Sequence, residues 1–234
     1  IIGHVGIDET NRRFFVSDHG KLKIFAYDLD SVLTTPEYQP SVKIDMKKKL
    51  FPDDYLYLND TLCIAKIIEP IGNNDYKPSV ARWNMATGEI NPMPYEYPDL
   101  KKVRFIYTAS AEHQLYVQCY TQYDLMTICD FNGNLKCNIY GPKWVNEKTQ
   151  TQHYSLGVEF CGDKILALYS GGDHRTDAYY PTKFLVFDLN GNYLKTLETG
   201  YMITDFCYDK ENNRLIINLN DEIQFAYLDL EGII

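Results

Sequence analysis

The sequence has no long apolar run and little positive charge. Its apolar stretches all fall short of the ~18 residues that a membrane-spanning helix needs, which predicts no transmembrane segment in this chain. Lys and Arg total 23 against 32 Asp and Glu, for a net charge of −9. The only basic run, at 47–49, is interpreted as a solvated loop. Because nucleic-acid binding needs a basic face against the phosphates, we expect no nucleic-acid partner.

The sequence also lacks the common catalytic and nucleotide-binding motifs. It contains no G-x-S-x-G, no H-E-x-x-H, no phosphate-binding loop and no G-x-G-x-x-G. Ser170 precedes two glycines but is not in the strand–turn–helix setting that a nucleophilic serine needs. No catalytic residue is therefore predicted, and a protein without enzymatic activity is the favoured interpretation.

Cysteine is present without any of its usual pairings. No C-x-x-C pair and no metal-type spacing occurs among Cys63, Cys119, Cys129, Cys137, Cys161 and Cys207. Nearly all six fall in predicted strands, so free buried thiols are favoured over disulfides, and the pattern assigns no redox compartment. The chain begins at Ile1 with neither an initiator Met nor a signal peptide, which suggests a mature or trimmed product.

The most informative feature of the sequence is a short apolar strand that recurs five times. The five copies begin at Phe14, Leu62, Leu115, Ile165 and Leu215, with steps of 48, 53, 50 and 50 residues. Each copy is preceded by a polar turn and followed by a further strand. A period near 50 built only of strands predicts an all-β fold, a β-propeller of four-stranded antiparallel blades.

The repeat also predicts the domain organisation. We expect a single propeller domain over 1–234, with repeats at roughly 2–49, 50–100, 101–150, 151–200 and 201–234. The last repeat has no fourth strand, so about five blades are expected in this chain. Because propellers normally close into a ring without free edges, we expect six blades in the full protein, with a further blade before Ile1.

The turns into the fourth strands carry hairpin chemistry. Asp130 and Asp188 each begin an Asp-x-Asn-Gly run, and Asn-Gly favours a tight turn with positive φ. A calcium loop would place its glycine at the sixth position rather than the fourth, so these runs are interpreted as turns. The predicted fourth strands are 41–46, 89–93, 135–140 and 193–197.

Two segments of the chain resemble a known family. The run 184–195 (FLVFDLNGNYLK) and the run 206–217 (FCYDKENNRLII) are similar to strands of the TolB-like and NHL-like six-bladed propellers, especially those of Bacteroidetes. The Tyr-Asp-Leu-Asp-Ser run at 27–31 has the same character. The resemblance implies a six-bladed ring and an extracytoplasmic location, in the periplasm or as an outer-membrane lipoprotein. It assigns no activity.

A binding site is predicted on the face that carries the loops between second and third strands. Two of these loops are long, at 69–78 and 170–181, and both are expected on this face. The connector from 141 to 157 opens on the same face. The candidate ligand-binding residues are His19, Asp75, Trp144, Asp173, His174, Arg175 and Asp177.

Each candidate has a plainer alternative. The loop with Asp173 and Arg175 could grip a sugar, peptide or anion, could contribute to a zinc or calcium site, or could be a solvated loop whose charges balance. His19 fits an ordinary turn residue as well as a ligand contact. Trp144 could stack on a ligand or pack beneath its own loop.

Two functions follow. The first is a non-catalytic module without a cofactor, which binds a protein or glycan at the cell envelope. The alternative is a metal-dependent lactonase or hydrolase, because calcium-dependent lactonases share the propeller fold and bind their metal through acidic and amide side chains of inner strands. The inner strands predicted here offer Asp8, Glu159 and Asp205 as calcium ligands.

Overall fold

The computed structural model describes residues 2–73, 75–100 and 102–234. Ile1, Asn74 and Lys101 lie outside the described residues, and Asn74 belongs to the predicted loop 69–78. The fold is all-β, as predicted, and its class is the β-propeller, with consecutive antiparallel strands in each sheet. The chain divides into two compact units, Ile1–Glu96 and Tyr97–Ile234.

The described residues of the first unit form two four-stranded sheets and a short helix. Sheet 1 consists of β1 (Ile2–Asp8), β2 (Arg13–Asp18), β3 (Lys23–Asp28) and β4 (Ser41–Asp45). Sheet 2 consists of β5 (Phe51–Asn59), β6 (Leu62–Gly72), β7 (Asp75–Asn84) and β8 (Glu89–Pro92). Helix α1 (Leu29–Thr34) lies between β3 and β4.

The second unit contains two four-stranded sheets and one three-stranded sheet. Sheet 3 consists of β9 (Phe105–Ser110), β10 (Leu115–Tyr120), β11 (Leu125–Asp130) and β12 (Leu135–Tyr140). Sheet 4 consists of β13 (Thr151–Cys161), β14 (Lys164–Asp173), β15 (Lys183–Asp188) and β16 (Tyr193–Glu198). Sheet 5 consists of β17 (Ile203–Asp209), β18 (Arg214–Leu219) and β19 (Phe225–Asp229). A short 3-10 turn, Asp177–Tyr179, follows β14.

The Asp-x-Asn-Gly runs form the predicted turns. Asp188 Oδ1 accepts the backbone N–H groups of Asn190 and Asn192 at 2.8 and 2.9 Å, and its other oxygen accepts the Asn192 side-chain amide at 2.8 Å. Asp130 makes the equivalent contacts one repeat earlier. Gly191 lies at the positive-φ position of its turn, with φ 86°. The aspartate therefore organises the turn, and the glycine accommodates its left-handed backbone.

A second turn motif closes the first hairpins of sheets 1 and 5. Asp8 accepts the Asn11 side-chain amide at 2.9 Å and the Arg13 guanidinium at 2.6 Å. Asp209 makes the same two types of contact with the residues three and five positions later. Although burial opposes ionisation most strongly, these contacts together lower the pKa of Asp8. Asp8 is thus committed to a structural turn.

Strand β14 shows how the sheets of the second unit pack. Ile165 and Ala167 point into the core shared with sheet 3, while Leu166 and Leu168 point into the core shared with sheet 5. All four are completely buried. A strand that is covered on both faces is apolar at nearly every position, which explains why this segment gave such a clear repeat signal.

In the first unit one core joins the two sheets. Phe15 and Ile24 of sheet 1 pack with Cys63, Ala81 and Trp83 of sheet 2. The six cysteines of the chain are all free, four of them buried, as the sequence pattern favoured. Within the described residues, no helix is long and apolar enough to cross a membrane.

The structure differs from the sequence predictions at several places. The predicted connector 141–157 ends at 150, where β13 begins, and the predicted loop 170–181 is strand β14 up to Asp173. Helix α1 was not predicted; Asp28 begins it by accepting the backbone N–H of Ser31 at 2.7 Å. The predicted loop 69–78 is mostly a two-stranded extension of β6 and β7, with Glu69 paired to Lys77 and Pro70 to Tyr76. The predicted fourth strands agree with β4, β8, β12 and β16 to within one residue at each end.

We expect Gly191→Ala to destabilise the second unit more than Gly162→Ala. Both glycines have positive φ, so both substitutions incur a left-handed penalty of roughly 1–2 kcal/mol. Only at 191 would the added Cβ lie 2.7 Å from the Cys137 sulfur, whereas at 162 it would meet no atom within 4 Å. This steric clash should lower the free energy of unfolding of Gly191→Ala by roughly a further 1–3 kcal/mol, as measured by urea unfolding. Equal effects of the two substitutions would contradict this packing.

Candidate functional site

The candidate site is one end of the sheets of the second unit, formed by four connections between strands. These are 121–124, 141–150, 174–182 and 199–202, and we call them together the rim. Backbone hydrogen bonds join neighbouring segments: Thr149 donates to Gln122 at 3.3 Å, His174 to Gln150 at 3.1 Å and Thr199 to Thr182 at 3.0 Å. The rim is therefore one continuous surface rather than a set of separate loops.

The predicted polar loop 170–181 lies on this rim, where its charged groups pair with each other and with a neighbouring segment. The Arg175 guanidinium donates to both oxygens of Asp173, at 2.9 and 2.6 Å. This pairing lowers the pKa of the Asp173 carboxyl. The His174 ring Nδ1 donates to the Gln150 carbonyl at 2.8 Å. Asp173, His174 and Arg175 thus shape the loop, while Asp177 is exposed at the start of the 3-10 turn.

The loop is folded closely onto itself. Ser170 Oγ donates to the Ala178 carbonyl at 2.6 Å and accepts the backbone N–H of Gly172 at 2.9 Å. A Cβ at 172 would lie 1.9 Å from that carbonyl oxygen, so only glycine fits. The 3-10 turn then presents Tyr179 and Tyr180, whose ring centroids are 4.2 Å apart.

Trp144 lies in a cluster of tyrosines. Its ring centroid is 5.1 Å from Tyr140, 5.7 Å from Tyr97 and 6.3 Å from Tyr123. Trp144 is half-buried, Tyr123 is buried and Tyr140 is half exposed. The indole therefore packs among side chains of its own unit, and the exposed part of the cluster is largely Tyr140.

A buried polar cluster beneath the rim was not among the predicted site residues. Asp124 and His153 are each about 1% exposed. His153 Nδ1 is 3.3 Å from the Tyr169 hydroxyl and 3.7 Å from Asp124 Oδ1. Burial lowers the pKa of His153 and raises that of Tyr169. Asp124 lies in the turn before β11 and His153 lies in β13, 29 positions later, and no sequence motif links them.

The inner strand of sheet 4 is irregular just below the rim. Between Tyr154 and Val158 the pairing of β13 with β14 shifts, and Leu156 has φ 67° with its side chain 40% exposed. The preceding residue, Ser155, contacts the Tyr179 carbonyl at 3.5 Å. A left-handed leucine with an exposed apolar side chain is strained, and such positions cluster at functional sites.

The two candidates of the first unit occupy ordinary structural positions. His19 packs edge-on against Phe51 at 5.4 Å, and its ring fills the space where a Cβ at Gly3 would lie. Asp75 begins β7, and its carboxylate accepts the backbone N–H of Tyr76 at 3.0 Å. Both remain predictions as ligand contacts.

The predicted calcium ligands are divided between the units. Asp8 is paired with Arg13 in the first unit. Glu159 and Asp205 lie on β13 and β17 of the second unit, and both raise the pKa of Cys207 electrostatically after the larger effect of burial. Desolvation raises the pKa of Asp205 itself. No group of three or more His, Cys, Asp or Glu side chains among the described residues is arranged to hold a metal ion.

Comparison with solved structures shows similarity in fold. The extracellular domain of BT4673 from B. thetaiotaomicron superimposes with a TM-score of 0.61 at 10% identity, over 98% of this chain and 28% of that one. A protein of unknown function from Bacteroides caccae gives 0.55 at 13% identity, over 99% of this chain and 78% of that one. A gluconolactonase from Xanthomonas campestris gives 0.57 at 16% identity, over 93% of this chain and 69% of that one.

These identities are too low to show more than a shared propeller fold. The chain spans little more than a quarter of the length of the B. thetaiotaomicron protein that it resembles. No protein-family model and no curated protein sequence matches the chain.

We expect Leu156→Gly to stabilise the protein by up to about 1 kcal/mol, because glycine removes the left-handed penalty at this position. Leu194→Gly is the matched control, since Leu194 is 42% exposed but lies in regular strand β16. Glycine there should destabilise by roughly 0.5–1 kcal/mol. Urea unfolding of both variants gives the sign of each change in the free energy of unfolding. Destabilisation by both would mean that Leu156 is held by contacts worth more than its strain.

Proposed function

We propose that this chain is a non-catalytic binding module that recognises a protein or glycan through the rim of its second unit. We further propose that it belongs to a six-bladed, TolB-like or NHL-like propeller located outside the cytoplasm, at the cell envelope. The extracellular location of the BT4673 domain supports that assignment. The segments 184–195 and 206–217 support the family resemblance.

The observation that carries the proposal is the exposed aromatic and apolar surface of the rim. Tyr201 is 56% exposed and Met202 37% exposed, and the neighbouring rim segment carries Tyr179 and Tyr180, whose rings contact each other at a tilt of 31°. Exposed apolar groups concentrated at one place, bordered by polar residues, are typical of interaction sites. Tyrosine suits such sites because its ring buries a large area while its hydroxyl can still bind water or ligand.

The polar loop supplies the border of this surface. Because Asp173 and Arg175 neutralise each other and His174 is bonded to Gln150, the loop can keep its shape without a ligand. A surface arranged before binding loses less conformational entropy when the ligand arrives. Asp177, exposed on the same loop, is available to accept hydrogen bonds from ligand hydroxyl or amide groups.

We expect Tyr201→Ala to abolish or weaken binding at least about tenfold, as the loss of a central aromatic contact does at other interfaces. Tyr193→Ala is the control, because Tyr193 is also 56% exposed but begins β16 at the opposite end of the sheet. A glycan array on the wild-type chain comes first, and the affinity of any glycan found is then measured by calorimetry for both variants.

If no glycan binds, the same pair of variants is compared in pull-downs from envelope extracts, with each captured protein then purified and its affinity measured. A ligand whose affinity drops for Tyr201→Ala and not for Tyr193→Ala supports the rim. A ligand that binds both variants equally, or binds neither wild type nor variants, contradicts the proposal.

A calcium-dependent lactonase is the second candidate function. It is favoured by the gluconolactonase among the structural neighbours and by the placement of Glu159 and Asp205 on neighbouring inner strands. On this hypothesis the chain binds calcium with micromolar affinity, and Glu159→Gln abolishes the binding because a carboxylate ligand becomes a neutral amide. Asp209→Asn is unsuitable as a control because it breaks a turn.

Exposed Asp177 offers a better control, since Asp177→Asn removes an acid from the rim rather than from the inner strands. Isothermal titration with calcium on the wild type, Glu159→Gln and Asp177→Asn separates the cases. Absence of calcium binding by the wild-type chain would end this hypothesis, as would binding that survives Glu159→Gln.

A further inference from the structure

The buried cluster beneath the rim has a carboxylate and an imidazole with unused hydrogen-bonding capacity. Neither Asp124 Oδ1 nor His153 Nε2 has a hydrogen-bond partner among the described residues. Both side chains are almost completely buried, at about 1% exposure. Unpaired buried polar atoms cost free energy, so a native cluster that contains two of them calls for an explanation.

Asp124 holds the start of the connector 141–150 to the sheet. Its backbone carbonyl accepts the N–H of Gly141 at 2.8 Å, and its carboxylate Oδ2 accepts the N–H of Lys143 at 3.0 Å. A Cβ at 141 would lie 2.1 Å from the carboxylate, so the connector passes directly against it. Trp144 follows at once, and its N–H donates to the Gly141 carbonyl at 3.1 Å.

The carboxylate has three polar neighbours. Its Oδ2 accepts the Lys143 amide, its unpaired Oδ1 lies 3.7 Å from His153 Nδ1, and the Tyr169 hydroxyl also faces it. A neutral imidazole can satisfy Nδ1 with the Tyr169 hydroxyl, as it does at 3.3 Å. A protonated imidazole is a cation with two N–H donors, and the closest anion is Asp124.

We propose that proton uptake by His153 draws the Asp124 carboxylate away from the Lys143 amide and toward the imidazole, and that this loosens connector 141–150. The inference rests on the proposed function in one respect, because the connector carries part of the binding rim. In mild acid the rim therefore loses its fixed shape and its ligand is released. Above neutrality the connector is held and the rim is ready to bind.

The groups around His153 determine the direction of this effect. Asp124 on the turn before β11 favours the cation, Lys143 on the connector opposes it, and Tyr169 on β14 shares the hydrogen bond at Nδ1. Burial is the largest effect and holds the pKa of His153 below its usual range, so the imidazole is neutral at pH 7. Protons therefore bind more readily to the loosened form, and lowering the pH shifts the population toward it.

Hydrogen exchange tests the proposal without any ligand. We expect the protection factor of the Lys143 amide to fall by roughly tenfold or more between about pH 7.5 and about pH 5.5, within the limit of tenfold per pH unit for one linked proton. In His153→Gln the protection should not depend on pH, because the amide side chain cannot take up a proton. The amide of Val117, in the core of sheet 3, should be unchanged throughout.

His174→Gln is the matched control, because His174 binds the far end of the same connector at Gln150. It should keep the pH dependence at Lys143. The imidazole of His153 is also titrated by NMR in the wild-type chain, which does not depend on the folding of any variant. The loss of Lys143 protection should begin above the midpoint of this titration and level off close to it, because the loosened form takes up the proton at a higher pH than the held form.

Protection that does not change with pH would overturn the inference, as would a pH dependence that persists in His153→Gln or one that lies wholly below the titration of His153. These results are independent of the rim's ligand. If the connector loosens in acid but no ligand of the rim is found, the proposed function fails and this inference stands. If a ligand binds the rim but the connector does not loosen in acid, this inference fails and the proposed function stands.

Discussion

The burial of both faces of a sheet between its neighbours is the constraint on which the rest of the second unit depends. The two faces of β14 in sheet 4 are both buried, since its successive side chains point alternately into the core shared with sheet 3 and the core shared with sheet 5. Strands β14 and β15 are therefore apolar at successive positions between their ends, and the polar side chains of these two strands lie at the strand ends. At the rim the chain is no longer covered on both sides, so polar and charged side chains can lie there.

This constraint explains why the fold was predictable. Runs such as Ile165–Ala167 stand out because strands buried on both sides have few polar positions, and the Asp-x-Asn-Gly turns mark where each hairpin reverses. Helix α1 was missed because its six residues span less than two turns and none of them is buried. The extension of β6 and β7 was missed because Pro70 and Pro78 are typical of loops, yet both fit an antiparallel ribbon there.

The candidate site was less predictable for a physical reason. The sequence located the polar loop and the connector with Trp144, because exposed loops are marked by their composition. It did not locate the buried cluster beneath the rim, since Asp124 and His153 are brought together only by the packing of sheet 3 against sheet 4. Arg175 also shows what composition cannot predict. Its guanidinium lies on the rim, but it forms an ion pair with Asp173. Whether a side chain is available to a ligand depends on such local pairings.

The distribution of tryptophan has a practical consequence. The chain has two indoles, and each unit contains one: Trp83 is buried against Tyr55 in the first unit, and Trp144 lies among tyrosines in the second. Each unit thus carries its own intrinsic fluorophore in a distinct surrounding. Emission from a chain that keeps only one of them reports on a single unit, so the order in which the two units melt can be read optically without attaching a dye.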